Sequence, residues 1–459
     1  MGVDSLHKDY INNAGAWSLV RDCIQGEIAI KAGKKTYLPK PVAMTDQEYL
    51  DYILRAEYVN FTGRTAESLH GAMFDGVTFT PTNDSGFIDL IENVDKVGAS
   101  LIDFTRSITR DVLPAPYGGI LVDCPAAKEG TSQAEAKRLN ITAYLKYYPA
   151  ESYTNKGYEI INNKAVLTRV VLKEAYEVPN SKDEFTPTQE IRYRVLRLTD
   201  NKYTQQVYTK ADGKWSGGEI ITPEMNSKPL DFIPFYPILG NQPEKSILLD
   251  LANANLGHYR GSADLENILH LTCAPTGWSN LPIPIDKETG KPETFIYGGR
   301  TMVRLGDKEG RLDFLEPSGS SIAHKMRNQE AKENRMKTLG AKLLDTPRQE
   351  TATSTRINAA AANSVLGNLA DEISESVTNA MRAAAEWRGI DASKWEFHLQ
   401  NKYDTDKIEM QRLALEKIDD GVMSKVRYLE KFEGMTEEEA KAEVERIRAE
   451  GRIPYENTE

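Results

Sequence analysis

The chain has 459 residues, 40% of them apolar, and a net charge of −11. That length allows roughly two to four domains with real cores. The acidic balance argues against tight, extensive nucleic-acid binding, because Lys and Arg supply most of the affinity for phosphate, but leaves room for a surface that DNA merely passes over.

Helical spacing appears early. Thr45 or Asp46 can cap a helix from Gln47 to about Phe61, followed by a second over Thr65–Met73. Phe87–Val94 and Ser100–Val112 read as helices, the latter with Leu101, Phe104, Ile108 and Val112 on one face. GGILVDCP at 118–125 is a short apolar run bounded by Gly and Pro, the pattern of a buried strand. Further strands are expected at Ile141–Tyr147, Ala165–Tyr176, Glu190–Thr199 and Lys202–Thr209, with turn signals at Asn162-Asn163 and Asp212-Gly213. Residues 1–245 therefore read as an α+β domain with a mostly antiparallel sheet.

The prolines of IPFYPILGNQPEKS then give way to a proline-free run, Ser246–Ala274, expected to be a helix about 43 Å long. Leu248, Leu249, Ala252, Leu256, Tyr259 and Ala263 share one stripe, whereas Leu265, Ile268, Leu269 and Leu271 lie mostly on the opposite side. The two halves thus bury different faces, as expected where a helix leaves its own domain to pack against repeated neighbours. Strands are expected at Phe295–Val303 and Arg311–Glu316, in a module too poor in apolar residues to stand alone. A second long helix, Ile322–Leu344, alternates charge through Lys325, Arg327, Glu330, Lys332, Glu333, Arg335 and Lys337, so one side is solvated or faces similar helices of other subunits. After Asp345-Thr346-Pro347-Arg348-Gln349 a third helix runs from about Glu350 to Trp387, with Leu366, Leu369, Ile373, Val377, Ala380, Ala384 and Trp387 at three-and-four spacing. Residues 391–403 read as a connecting strand to a helical tail, with starts at Asp404 or Thr405, at Ser424, and at a Thr436/Glu439 capping box.

Motifs for chemistry are missing from the sequence. GxxxxGK[ST], GxGxxG, HExxH and GxSxG do not occur. The three cysteines, Cys23, Cys124 and Cys273, are far apart and form no metal pair or disulfide framework, which points to a reducing compartment. His258 and His270 share the first long helix but would stand about 18 Å apart, too far for one metal ion. Acidic neighbours such as Asp371 and Glu372 point about 100° apart on a helix. The expectation is a protein that is no enzyme and needs no cofactor or metal. Without an apolar run of about 18 residues, it is also expected to be soluble, made in the cytoplasm and without a membrane partner.

Order and spacing over about Trp17–Gly434 resemble the portal proteins of tailed double-stranded-DNA bacteriophages. WSLVRDCIQGEIAIKAGKKTYLP, LRAEYVNFTGRTAESLHGAMF and LVDCP followed by AYLKYYPAESYTN look like the first half of such proteins. SILLDLANANLGHYRGSADLENILHLTCAPT, GGRTMVRLGDKEGRLDFLEPSGSSI and LGAKLLDTPRQETATSTRIN are similar to their central region.

The resemblance implies a ring, usually of twelve subunits, at one vertex of the virion head, assembled in the host cytoplasm. Residues 1–245 with part of the third long helix (354–390) would be the wing, 246–274 and 320–344 the stem, 275–319 the clip, 345–353 the tunnel loop and 404–459 a short crown. Implied partners are other copies of the chain, the major capsid protein, the large terminase subunit, a head-tail adaptor and double-stranded DNA passing without specificity. Arg348 and Gln349 would project toward DNA, and Lys287, Lys291, Arg300 and Arg304 would serve clip docking. For Lys325, Lys332 and Lys342 two readings stand: contact with passing phosphates, or ordinary ion pairs between helices. Two other functions remain open: a virion structural protein without a channel, and a hydrolase, which would need His258 and Asp264 in one pocket.

Overall fold

The computed structural model describes residues 2–125, 138–139, 141–179, 185–225, 228–239, 245–272, 276–280, 285, 290, 311–315, 320–340, 352–400, 418, 424–432 and 436–449. The chain is α+β. It opens with α1 (Lys8–Gln25) and α2 (Glu27–Ala32), then α3 (Asp46–Arg55) and α4 (Phe61–Phe74), a two-residue strand β1 (Thr78–Phe79), α5 (Ser85–Glu92) and α6 (Leu101–Val112). Thr45 caps α3 in a full capping box with Glu48, which satisfies two otherwise orphan backbone donors. Ser100 caps α6, whose Leu101, Phe104, Ile108 and Val112 are all buried as their spacing requires.

One expected helix is broken. The run expected to reach Phe61 stops at Arg55, because Ala56 turns extended and the chain restarts at Asn60. Asn60 accepts from Gly63 N at 2.7 Å and donates to the Ile24 carbonyl at 2.9 Å, so a contact with α1 fixes the new N-terminus.

β2 (Gly118–Asp123) is buried along its whole length and lies at the centre of a three-stranded sheet, between β3 (Tyr144–Pro149) and β11 (Phe235–Pro237). Ile120 and Val122 face the helical core, and Leu121 faces the other way. β3 begins later than the expected Ile141, at Tyr144.

A five-stranded antiparallel meander follows: β4 (Tyr153–Ile161), β5 (Lys164–Val178), β6 (Thr188–Thr199), β7 (Lys202–Ala211) and β8 (Lys214–Ile221). Its turns at Asn162-Asn163, Asp200-Asn201 and Asp212-Gly213 all take positive φ, as two-residue hairpins need. Two short strands, β9 (Glu224–Met225) and β10 (Lys228–Pro229), lead back to β11.

The two sheets meet around buried Glu174. It accepts from Lys146 at 2.7 Å, from Arg192 at 2.7 Å, from Arg194 at 3.2 Å and from the Tyr148 hydroxyl. Burial pushes its carboxyl up, but Arg194, Lys146 and the Tyr148 hydroxyl pull it down to about 2. Asp123 completes the cluster by accepting from Gln205 at 2.9 Å and Arg194 at 3.3 Å.

α7 (Leu249–Thr272), β12 (Thr276–Ser279), β13 (Leu312–Leu315) and α8 (Ser320–Leu339) come next, then α9 (Ala352–Trp387), β14 (Phe397–His398), α10 (Lys425–Phe432) and α11 (Glu437–Ala449). α7 begins three residues after the expected Ser246, its expected end at 273–274 lies outside the described residues, and α8 begins two residues before Ile322. The expected strand at 295–303 and the helix from 404 lie outside the described residues, as do 341–344. α9 buries Leu366, Leu369, Ile373, Val377, Ala380 and Ala384 against the helical core, the stripe its spacing foretells. β14 pairs with β1, tying the chain beyond α9 to its first part.

Candidate functional site: the paired long helices

α7 and α8 run antiparallel, joined through the β12–β13 ladder at one end. Thr276 pairs with Leu315 and Ser279 with Leu312, and Arg311 N donates to Asn280 Oδ1 at 2.7 Å. At about 1.5 Å per residue α7 is roughly 36 Å long and α8 roughly 30 Å.

α7 has two unlike halves. Leu251, Ala252, Asn255, Leu256, His258, Tyr259, Ser262 and Ala263 are buried. From Asp264 onward no described residue of α7 is buried: Leu265, Ile268 and Leu269 are half-covered and Leu271 is 66% exposed. The division falls where the sequence places the change of face.

Polar bonds hold the midpoint from two sides. From the α3 side, Glu57 N donates to Ser262 Oγ at 3.1 Å, the Tyr52 hydroxyl to Asp264 Oδ1 at 2.7 Å, and Arg55 Nη2 to Asn267 Oδ1 at 3.1 Å. From α8, Gln329 Nε2 donates to the His258 carbonyl at 3.0 Å and Lys332 Nζ to the Gly257 carbonyl at 2.6 Å. Gly261 leaves room for both approaches, since a Cβ there would lie 2.4 Å from Gln329 Oε1 and 2.8 Å from Lys332 Nζ, and the two side-chain ends would have to shift. α8 itself buries only Gln329 and Met336 among its described side chains, while Met326 and Leu339 are exposed.

Of the nominated cations, two are described. Lys325 Nζ sits 3.3 Å from Asp264 Oδ2, and Lys332 is occupied by the Gly257 carbonyl. Burial lowers the Lys332 ammonium below the usual lysine range; Asp264 opposes this, and Lys325 and Arg260 add to it. Lys287, Lys291, Arg300, Arg304, Lys342, Arg348 and Gln349 lie outside the described residues.

His258 and Asp264, the pair a hydrolase would need, turn to different partners. His258 Nε2 is 3.4 Å from Glu333 Oε1, whereas Asp264 engages Tyr52 and Lys325. The structure adds residues that periodicity did not single out, chiefly Asn255, Gly261 and Gln329. Asn255 was detectable as an amide inside an apolar stripe; Gln329 was not, because its target is a backbone carbonyl.

Residues 247–388, from the start of α7 through α9, match a family model described as a domain of unknown function, DUF4055. No curated protein matches the sequence. Two solved structures are similar at 12% identity. One is a chain of the virion of a native gene transfer agent particle, with 88% of this chain and 98% of that chain covered at a TM-score of 0.39. The other is from the neck of an empty particle of the same kind, with 86% and 97% covered at a TM-score of 0.41.

Proposed function

We propose that this chain is a portal-type subunit: a non-enzymatic protein that closes into a ring, usually of twelve, at one vertex of a phage-like virion. In this reading α7 and α8 are the stem, residues 275–319 the clip, 1–245 with part of α9 the wing, 345–353 the tunnel loop and 404–459 the crown. DNA passes through the centre, and capsid protein, terminase and head-tail adaptor dock on the outside.

The observation that supports it most is the division of α7. Burying a Leu or Ile side chain contributes about 1.5–3 kcal/mol, yet Leu265, Ile268, Leu269 and Leu271 are left partly or largely uncovered beside a sparsely apolar α8. A ring of copies would cover them. The sequence resemblance to portal proteins, in order and spacing, supports the same reading.

Native mass spectrometry and negative-stain microscopy of the full chain test it. The expected result is a closed ring with a central hole. Monomers under all conditions would overturn it, and packed assemblies without a hole would favour a virion structural protein that forms no channel.

A further inference from the structure

The five-stranded sheet carries an unneutralised pair of cations on its outer face. Arg169 of β5 and Arg197 of β6 are direct cross-strand partners. Residues so opposed project from one face with Cβ atoms about 4.5–5.5 Å apart, and like charges there repel.

No carboxylate among the described residues relieves them. On this face β5 presents Ala165, Leu167, Arg169, Val171, Lys173, Ala175 and only then Glu177, eight residues or about 26 Å beyond Arg169. β6 presents Gln189, Ile191, Tyr193, Val195, Arg197 and Thr199, and β7 offers Gln206 and Tyr208. The N-terminal segment wraps the β4 edge, where His7 N donates to the Thr154 carbonyl and Asn155 Nδ2 to the Ser5 carbonyl. It brings Asp4 near Tyr193 and Asp9, but Asp9 is held by Lys156 at 3.1 Å and lies against His7. At His7 burial lowers the proton affinity, Asp9 opposes this, and Lys156, Lys8 and, least, Arg169 lower it further.

The two guanidinium groups are set apart and directed differently. Arg197 donates Nη1 to Gln206 Oε1 at 3.0 Å and Nη2 to the Tyr208 hydroxyl at 3.1 Å, which orients its fork and leaves other N–H groups free. Arg169 is exposed and lies across Gly157 of β4, where a Cβ would come within 3.4 Å of its Nη2. One fork leans to β7 and the other to β4, beside the buried Val171 and Val195 of the same face. On a chain of net charge −11, two opposed arginines with no carboxylate partner among the described residues are chemically suited to an anion.

We propose that Arg169 and Arg197 form an oxyanion site that takes a phosphate group, with Arg197 as the pre-oriented arm and Arg169 as the mobile one. The site does not depend on the ring reading, since all its residues belong to one sheet of one copy.

The test is thermal unfolding and phosphorus NMR of the full chain, with inorganic phosphate in one arm and a short DNA duplex in the other, against sodium chloride at matched ionic strength. Phosphate should raise Tm beyond chloride and broaden the phosphate resonance. Arg169→Gln should begin at a higher Tm in chloride, because the repulsion is gone, and its phosphate Kd should rise at least about tenfold. Lys173→Gln should keep the phosphate response. A response to phosphate alone assigns the site to free phosphate or a monoester; a response in both arms assigns it to the diester as well. No phosphate effect beyond chloride, or an undiminished effect in both Arg169→Gln and Arg197→Gln, overturns the proposal.

Discussion

Asn255 Oδ1 accepts from both the backbone N–H and the hydroxyl of Thr62, at 3.1 and 3.0 Å, so a side chain in the stripe of α7 fixes the first turn of α4. The same oxygen accepts from the Tyr58 hydroxyl, and its amide nitrogen donates to the Val59 carbonyl at 2.9 Å. The residue is fully buried. Asn255→Ala strands several groups at once, so unfolding should become easier by about 2–5 kcal/mol, read as a lower midpoint in denaturant.

Glu174 sets a pH dependence with a definite sign. Its carboxyl falls from the usual 4.5 to about 2 in the folded chain. The stabilisation is present above about pH 4.5 and is lost as pH falls toward 2, roughly 3 kcal/mol in all. Glu174→Gln should lower Tm at neutral pH and flatten the decline across that acid window. A mutant that keeps the wild-type slope there would show that the arginines are neutralised by something else.

The two halves of α7 should separate under mutation. Leu256→Ala, in the buried half, should cost about 2–5 kcal/mol of stability. Leu271→Asp, at a position 66% exposed, should leave the midpoint of the isolated chain within about 0.5 kcal/mol and instead prevent assembly, which sedimentation velocity can read.

Gly63 marks a close approach of α4 to α1. A Cβ there would lie 2.7 Å from the Ile24 carbonyl oxygen and 2.6 Å from Asn60 Nδ2. Backbone cannot yield as a side chain can, so Gly63→Ala should destabilise by about 1–3 kcal/mol, whereas Gly71→Ala, with nothing within 4 Å, should be neutral or stabilising.

Where a residue's partner is its own neighbour, the sequence was readable. The Thr45 cap, the α6 stripe, the α9 stripe and the Asn162-Asn163 turn all rest on contacts within a few residues. The break at Ala56–Asn60 was hidden because Ile24 and Asn255 enforce it from far along the chain. β4 was concealed by its bulges, and β8 by six exposed positions in succession without alternation. β12 was obscured because its partner, β13, lies across more than thirty residues of intervening chain. At the site, charge could nominate lysines, but it could not foretell that Lys332 spends its ammonium on a carbonyl of Gly257.

The bonds from Ser262, Asp264 and Asn267 to the α3 side also give α7 a fulcrum. From Asp264 to Thr272 the outer arm measures about 12 Å, and back to Leu249 the inner arm about 22 Å. A sideways thrust on the hairpin end therefore reaches the core at about half its strength, spread over a longer span of packed side chains.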